Sequence, residues 1–243
     1  GELRQFGITH QVYDPMKPAD LADRVTPRTR LVWLEAAGSV TLEFPDLLAQ
    51  ARLCRELGVL SALDNTWGAG LAFNPFNLDG RGLAVDISVQ ALTKYPSGGG
   101  DVLMGSVVTR DAALHRKLKL CHMRLGLGVG GNDAEAVLRA LPTLPLRYAA
   151  ADRSARRLAE WAARQAPFAQ VLHPALPASP GHAHWQAVCG AADAAGQGAA
   201  ASLFSVVIDE KFSREQVDAF CDALRLFRIG YSWGGPFSLV MPY

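Results

Sequence analysis

From residue 29 to residue 63 the chain runs strand, helix, strand, and this rhythm restricts the fold more than any other feature. Thr29–Leu34 (TRLVWL) is a continuous apolar run, the pattern of a strand buried on both faces. Pro45–Leu57 sets Leu47, Leu48, Ala51, Cys54 and Leu57 on one helical stripe, with Pro45 suited to the first turn and Gly58 to a C-terminal cap. Val59–Leu63 follows as a second strand. Further strands are predicted at Val85–Gln90, where Val85, Ile87 and Val89 alternate, and at Val102–Thr109, with a helix at Asp111–Arg124. Repeats of this kind imply crossover connections and a mostly parallel sheet flanked by helices. The expected class is α/β.

The design changes near residue 145. Tyr148–Gln165 reads as a long amphipathic helix rich in Ala and Arg, followed by a short strand at Ala169–Leu172 and a polar loop over 173–200. Ser202–Ile208 then reads as a strand and Ser213–Leu224 as a helix, with Ser213 as N-cap and Gln216 at the capping-box position. Residues 1–145 are therefore expected to be part of a large domain and 146–243 part of a smaller α+β C-terminal domain, both incomplete. Ala and Gly dominate only Gly190–Ala201, and no internal repeat is present.

Composition excludes several classes. The 24 Lys and Arg against 23 Asp and Glu leave no basic excess to hold nucleic acid. No apolar run reaches the roughly 18 residues that span a bilayer. Cys54, Cys121, Cys189 and Cys221 are far apart and form no CxxC pair; a reduced, cytoplasmic setting fits them. His173, His182 and His184 sit close together, but in a Pro- and Gly-rich stretch with no neighbouring thiolate or carboxylate to complete a metal site. A solvated loop is the reading preferred there. Gly126–Gly131 (GLGVGG) satisfies G-x-G-x-x-G, yet a predicted helix precedes it where a dinucleotide site needs a strand. It reads as a connection between helices, and a nicotinamide-dependent oxidoreductase has no other support.

Two segments carry the chemistry: ALDNTWGAG at 62–70 and SVQALTKYPSGGGDVLMG at 88–105. Each puts one ionisable group just past a predicted strand, Asp64 in the first and Lys94 in the second. In an open α/β sheet, ligands collect at the carboxyl ends of strands. A lysine amine and a carboxylate brought there together are what pyridoxal phosphate (PLP) requires, one for a Schiff base and one for its pyridinium nitrogen. Residue types alone favour a surface lysine and a turn aspartate.

TRLVWLEAAGSVTLEF, ALDNTWGAG, DISVQALTKYPSGGGDVLMGSVV, HPALPASPGH and YSWGGPFSL occur in one order, and together they resemble the Cys/Met-metabolism family of fold-type I PLP enzymes. The likeness covers essentially the whole chain and is greatest to the cystathionine β-lyase branch. It implies a PLP-dependent transferase-like fold, with Lys94 as Schiff-base lysine and Asp64 as partner of the ring nitrogen. It further implies that Thr93 helps hold the phosphate and that Ser39 stands near the ring hydroxyl. Ser232 and Trp233 would meet the substrate carboxylate. The implied reaction is β-elimination of cystathionine or related cysteine S-conjugates to a thiol, pyruvate and ammonia, in methionine and cysteine metabolism. The implied partners are an amino-acid substrate and sister subunits of a homotetramer built from dimers that share active sites. A γ-lyase, γ-synthase or sulfhydrylase would share Lys94 and Asp64, and a non-catalytic fragment is a further alternative.

The sequence also departs from the family pattern. Ala91 stands where a serine is common, and Gly98-Gly99-Gly100-Asp101 replaces G-H-S-D, which predicts a looser loop. Glu35-Ala36-Ala37 stands for E-S-P. Both ends of the family pattern are missing, so the chain is expected to be a piece of a longer polypeptide.

Overall fold

The computed structural model describes residues 2–190 and 197–243. After a short 3-10 turn and helix α1 (Pro18–Arg24) come strand β1 (Leu31–Glu35), helix α2 (Leu47–Glu56) and strands β2 (Leu60–Asp64), β3 (Ile87–Ala91) and β4 (Gly105–Val108). Helices α3 (Ala112–Arg124), α4 (Gly131–Ala140) and α5 (Leu144–Ala162) follow, then β5 (Phe168–Leu172), α6 (His182–Cys189), β6 (Ser205–Ile208), α7 (Arg214–Ala223), β7 (Arg228–Ile229) and β8 (Leu239–Val240).

The main sheet has the order β1-β2-β3-β4. β1, β2 and β3 are parallel, in a register that sets Glu35 beside Asp64 and Asp64 beside Val89. Asp46 caps α2 by accepting from the Ala49 N–H at 2.9 Å, and the helix buries Leu47, Gln50, Ala51 and Cys54. Leu34, Phe44, Leu47 and Leu63 are completely enclosed, each contributing about 1.5–3 kcal/mol through its burial. Their cluster extends without a break from Leu21 to Ala201. The three parallel ends at Glu35, Asp64 and Ala91 thus share one rigid edge.

Several sequence expectations shift. The three parallel strands begin one or two residues later and end one residue later than the apolar runs predicted, so Asp64 is the last residue of β2 rather than the first beyond it. β4 is shorter than the run 102–109 and antiparallel to β3. The connection 92–104 contains no helix, and a parallel return needs a crossover of a dozen residues or more. The expected polar loop 173–200 contains α6, whose Trp185 and Cys189 are buried and whose Trp185 Nε1 donates to the Ala199 carbonyl at 3.0 Å. Residues 191–196 of the Ala- and Gly-rich stretch lie outside the described residues. The capping box of Ser213 and Gln216 is formed as expected. GLGVGG follows α3 and leads into α4, with no strand before it. The segment after 145 supplies a two-stranded antiparallel sheet of β5 and β6, a second pair, β7 and β8, and α7.

The histidines also differ from a solvated cluster. His182 and His184 ride on α6, with His182 Nδ1 at 2.9 Å from the Pro174 carbonyl and His184 Nδ1 at 3.7 Å from a carboxylate oxygen of Asp46. Among the described residues no group of three His, Cys, Asp or Glu side chains is placed to hold a metal. His173 is fully buried, and its Nε2 has no partner among the described residues. Burial, with help from the Arg156 charge, pushes its pKa down to about 4. The unfolded chain, with an ordinary histidine near 6.5, therefore binds a proton before the folded one does. Folding stability should be complete above that value and fall as pH drops from about 6.5 to 4, by up to about 3 kcal/mol. Thermal melts at pH 7.5 and 4.5 check this: His173→Gln should lose much less between the two than the parent protein.

Candidate active site

β2 delivers Asp64 to the carboxyl edge, and the turn that follows fixes its carboxylate. Oδ1 accepts from the Thr66 N–H at 2.9 Å and from the Thr66 hydroxyl at 2.5 Å. The same hydroxyl accepts from the Ala91 N–H at 2.9 Å, so Thr66 ties the end of β3 to the carboxylate on β2. Oδ2 carries no protein hydrogen bond among the described residues.

Lys94 stands three residues beyond β3 in a tight turn. Its N–H reaches the Ala91 carbonyl at 3.2 Å, and its own carbonyl accepts from the Gly98 N–H at 3.1 Å. Met104, just before β4, pins the turn, its carbonyl accepting from the Thr93 N–H at 3.2 Å. The half-buried Lys94 amine donates to Ser232 Oγ at 3.1 Å and lies 5.2 Å from the centre of the Trp233 ring. Partial burial holds its pKa below the ordinary lysine value. No ion pair or hydrogen bond joins Lys94 to Asp64 among the described residues.

Tyr95, beside the lysine, is the anchor of this half of the site. It is 1% exposed, and its ring meets Trp233 and Tyr148 edge-on at 5.5 and 4.8 Å between centroids. Its hydroxyl accepts from the Ser202 N–H at 2.8 Å and shares a 2.6 Å hydrogen bond with the Ser202 hydroxyl. Gly234 runs so close that a Cβ there would lie 3.0 Å from the Tyr95 nitrogen. This packing brings YSWGG onto the lysine from far along the chain.

The other two named residues are placed differently. The Thr93 hydroxyl is engaged on both sides by Met104, accepting from its N–H at 3.1 Å and donating to its carbonyl at 3.3 Å. Holding a phosphate would draw that proton away from the carbonyl. Ser39 is exposed beyond β1 and donates to Glu35 Oε1 at 2.6 Å. The Glu35 carboxyl is pushed up by partial desolvation and by the neighbouring Asp64 charge, against the pull of the Ser39 hydrogen bond.

The glycine run is less loose than its composition suggests. Gly98 and Gly100 take left-handed φ values of 67° and 71°, which glycine adopts without strain. A Cβ on Gly98 would run into the Arg147 guanidinium. Gly98→Ala is therefore expected to cost about 1–2 kcal/mol in strain and displaced contacts, read as a lowered midpoint in urea unfolding. Sequence reasoning missed Thr66, Tyr95 and Arg147 as parts of the site's framework. The first two sat inside the quoted motifs DNTW and TKY, where adjacency was the available signal.

A crossover α/β sheet with a lysine and an aspartate at its carboxyl edge defines a class of cofactor-dependent enzyme folds. Residues 2–242 match the Cys/Met metabolism PLP-dependent enzymes, and the chain belongs to that family. It is 37% identical over 238 residues to a cystathionine beta-lyase of Bordetella avium, covering 98% of this chain and 56% of that protein. A cystathionine beta-lyase of Salmonella typhimurium is 34% identical over 241 residues, covering 98% and 58%. The crystal structure of a cystathionine gamma synthase from Xanthomonas oryzae pv. oryzae matches with a TM-score of 0.83 at 31% identity, covering 98% of this chain and 58% of that one. The chain thus spans rather more than half the length of these relatives.

The donors present suit the family's cofactor. Lys94 offers an amine weakened as a base by burial, and Asp64 offers one tethered carboxylate oxygen and one open to a ring N–H.

Proposed function

We propose that this chain carries the catalytic centre of a PLP-dependent carbon–sulfur enzyme acting on cystathionine-like amino acids, with Lys94 as cofactor lysine and proton carrier. The observation that carries the reading is the Lys94 amine itself, half-buried, hydrogen-bonded to Ser232 and laid against Trp233 at the edge that also presents Asp64. PLP, when bound, supplies an electron sink for the pair left on the substrate Cα. Lys94 takes the Cα proton, and burial favours the neutral amine that this step needs. Asp64 holds the pyridine N–H with its open oxygen, while Thr66 keeps the carboxylate from turning away. Ser232 and the Trp233 backbone receive the substrate carboxylate, Thr93 contributes to the phosphate and Ser39 lies toward the ring hydroxyl. In the assembled protein, 1–145 belong to the large domain and 146–243 to the smaller one, and subunits share sites in a tetramer.

Within this class we favour β-elimination, in which the Cβ–S bond breaks to give a thiol, pyruvate and ammonia. The GSVTLE and YSWGG segments and the naming of the two bacterial relatives support it. Chemistry at Cγ is the second reading, supported by the likeness to the Xanthomonas synthase. Product analysis with cystathionine separates them. Pyruvate with homocysteine is expected; 2-oxobutyrate with cysteine would move the assignment to γ-elimination. No borohydride-sensitive visible absorption after incubation with PLP would favour a non-catalytic role.

A further inference from the structure

Arg147 reaches the back of the lysine turn from the first turn of α5. Its Nη1 donates to the Tyr95 carbonyl at 2.6 Å, and its Nη2 to the Ala140 and Pro96 carbonyls at 3.1 and 3.4 Å. Nε donates to the Thr143 hydroxyl at 3.0 Å. Among the described residues no carboxylate lies within ion-pair distance of this guanidinium. A charged group held by neutral oxygens alone is an expensive way to gain stability. A rigid fork of donors is, however, well suited to fixing several carbonyls in one geometry.

Two of the carbonyl oxygens it fixes are those of the two residues directly after Lys94. On the other flank, Met104 holds Thr93. Lys94 is thus gripped on both sides. The residue after Arg147 faces the aspartate segment: the Tyr148 hydroxyl donates to the Trp67 carbonyl at 3.3 Å, three residues past Asp64, while its ring packs on Tyr95.

We propose that Arg147 is a positioning residue for Lys94, and that Arg147 and Tyr148 make the start of α5 a brace between the lysine turn and the aspartate segment. Its relevance to catalysis rests on the assignment of Lys94 above. Without the fork, the Tyr95 and Pro96 carbonyls lose their shared donor, the lysine turn loosens, and the amine spends more time away from Ser232 and Trp233, toward water. The groups facing the amine are the Ser232 hydroxyl and the Trp233 ring; the Tyr95 hydroxyl is turned away to Ser202, and Asp64 makes no ion pair with it. Solvent exposure is therefore what a loosened turn would change.

Trace acetylation of the protein as its gene encodes it, quantified at Lys94 by mass spectrometry across pH, reads the titration of that amine without cofactor. The parent should titrate below the ordinary lysine value of about 10.4. Arg147→Met should move the midpoint up, so that the neutral fraction at pH 8 falls about three- to tenfold, with Arg147→Lys intermediate because an ammonium cannot span the same carbonyls. A folded Arg147→Met protein with the parent midpoint would overturn the proposal. Should that variant fail to fold, Arg147→Lys and Thr143→Val decide: each should shift part of the way, and parent midpoints in both would overturn it. In parallel, borohydride trapping of added PLP should be slower in Arg147→Met by a similar factor. If the parent traps no PLP on Lys94, the cofactor assignment fails, while the acetylation midpoints still decide whether Arg147 holds the amine.

Discussion

Lys94→Ala is expected to remove the borohydride-sensitive visible absorption of the PLP-loaded protein and to lower turnover by at least about a thousandfold. A positioned general base alone contributes about 10²–10⁴-fold, and this residue is assigned both the link to the cofactor and the proton transfer. No other lysine is placed to take over: among the described residues, no second lysine is hydrogen-bonded to the Asp64, Ser232 and Trp233 region. The variant should melt close to the parent temperature, since the half-exposed amine gives up one hydrogen bond to a surface hydroxyl. Elimination at more than a tenth of the parent rate would require another base.

Asp64→Ala should keep the visible absorption and slow removal of the Cα proton about ten- to hundredfold. A hydrogen bond to a charged group contributes about 1.5–3 kcal/mol, and each 1.4 kcal/mol is a factor of ten in rate. The measurement is the rate with cystathionine deuterated at Cα: the isotope effect should grow as proton removal becomes more fully limiting. The change also strips the Thr66 hydroxyl of its acceptor, so Asp64→Asn, which retains an acceptor for Thr66 without the charge, separates the two losses. An Asp64→Asn protein with parent turnover would show that the charge is not used.

The parallel core was readable because buried strands and amphipathic helices write their burial into short, local patterns. TRLVWL and the stripe Leu47, Leu48, Ala51, Cys54 each foretold an element to within a few residues. What was not readable depends on distant partners. α6 begins at Gly181, a cap with no side-chain hydrogen bond, and is held by Trp185 against Ala199; locally HAHW looks like loop. In the site, Lys94 and Asp64 stood out through strand position and the quoted motifs. Arg147 did not, because it stands just ahead of the predicted helix 148–165, where an arginine reads as a solvated charge until Tyr95, 52 residues earlier, is folded against it. The approach of Ser232 to Lys94, across 138 residues, is likewise a property of the fold rather than of either segment.

The antiparallel return of β4 has a consequence for how this region can change over generations. Ala91 pairs with Gly105, so residues 92–104 form a closed excursion whose two ends are stitched into one ladder. Inside it the Thr93–Met104 contacts make a second, smaller closure next to the sheet. Adding or deleting a residue at the distal tip, near Gly99, alters only the outer arc. The entropic penalty of lengthening such an arc grows slowly, about 0.6 kcal/mol for each doubling. The base of the excursion, where the lysine sits, remains fastened whatever the tip becomes. Length variation among kindred sequences should therefore collect between Gly99 and Leu103 and stay away from 91–96, giving the family a place to experiment without disturbing its reactive amine.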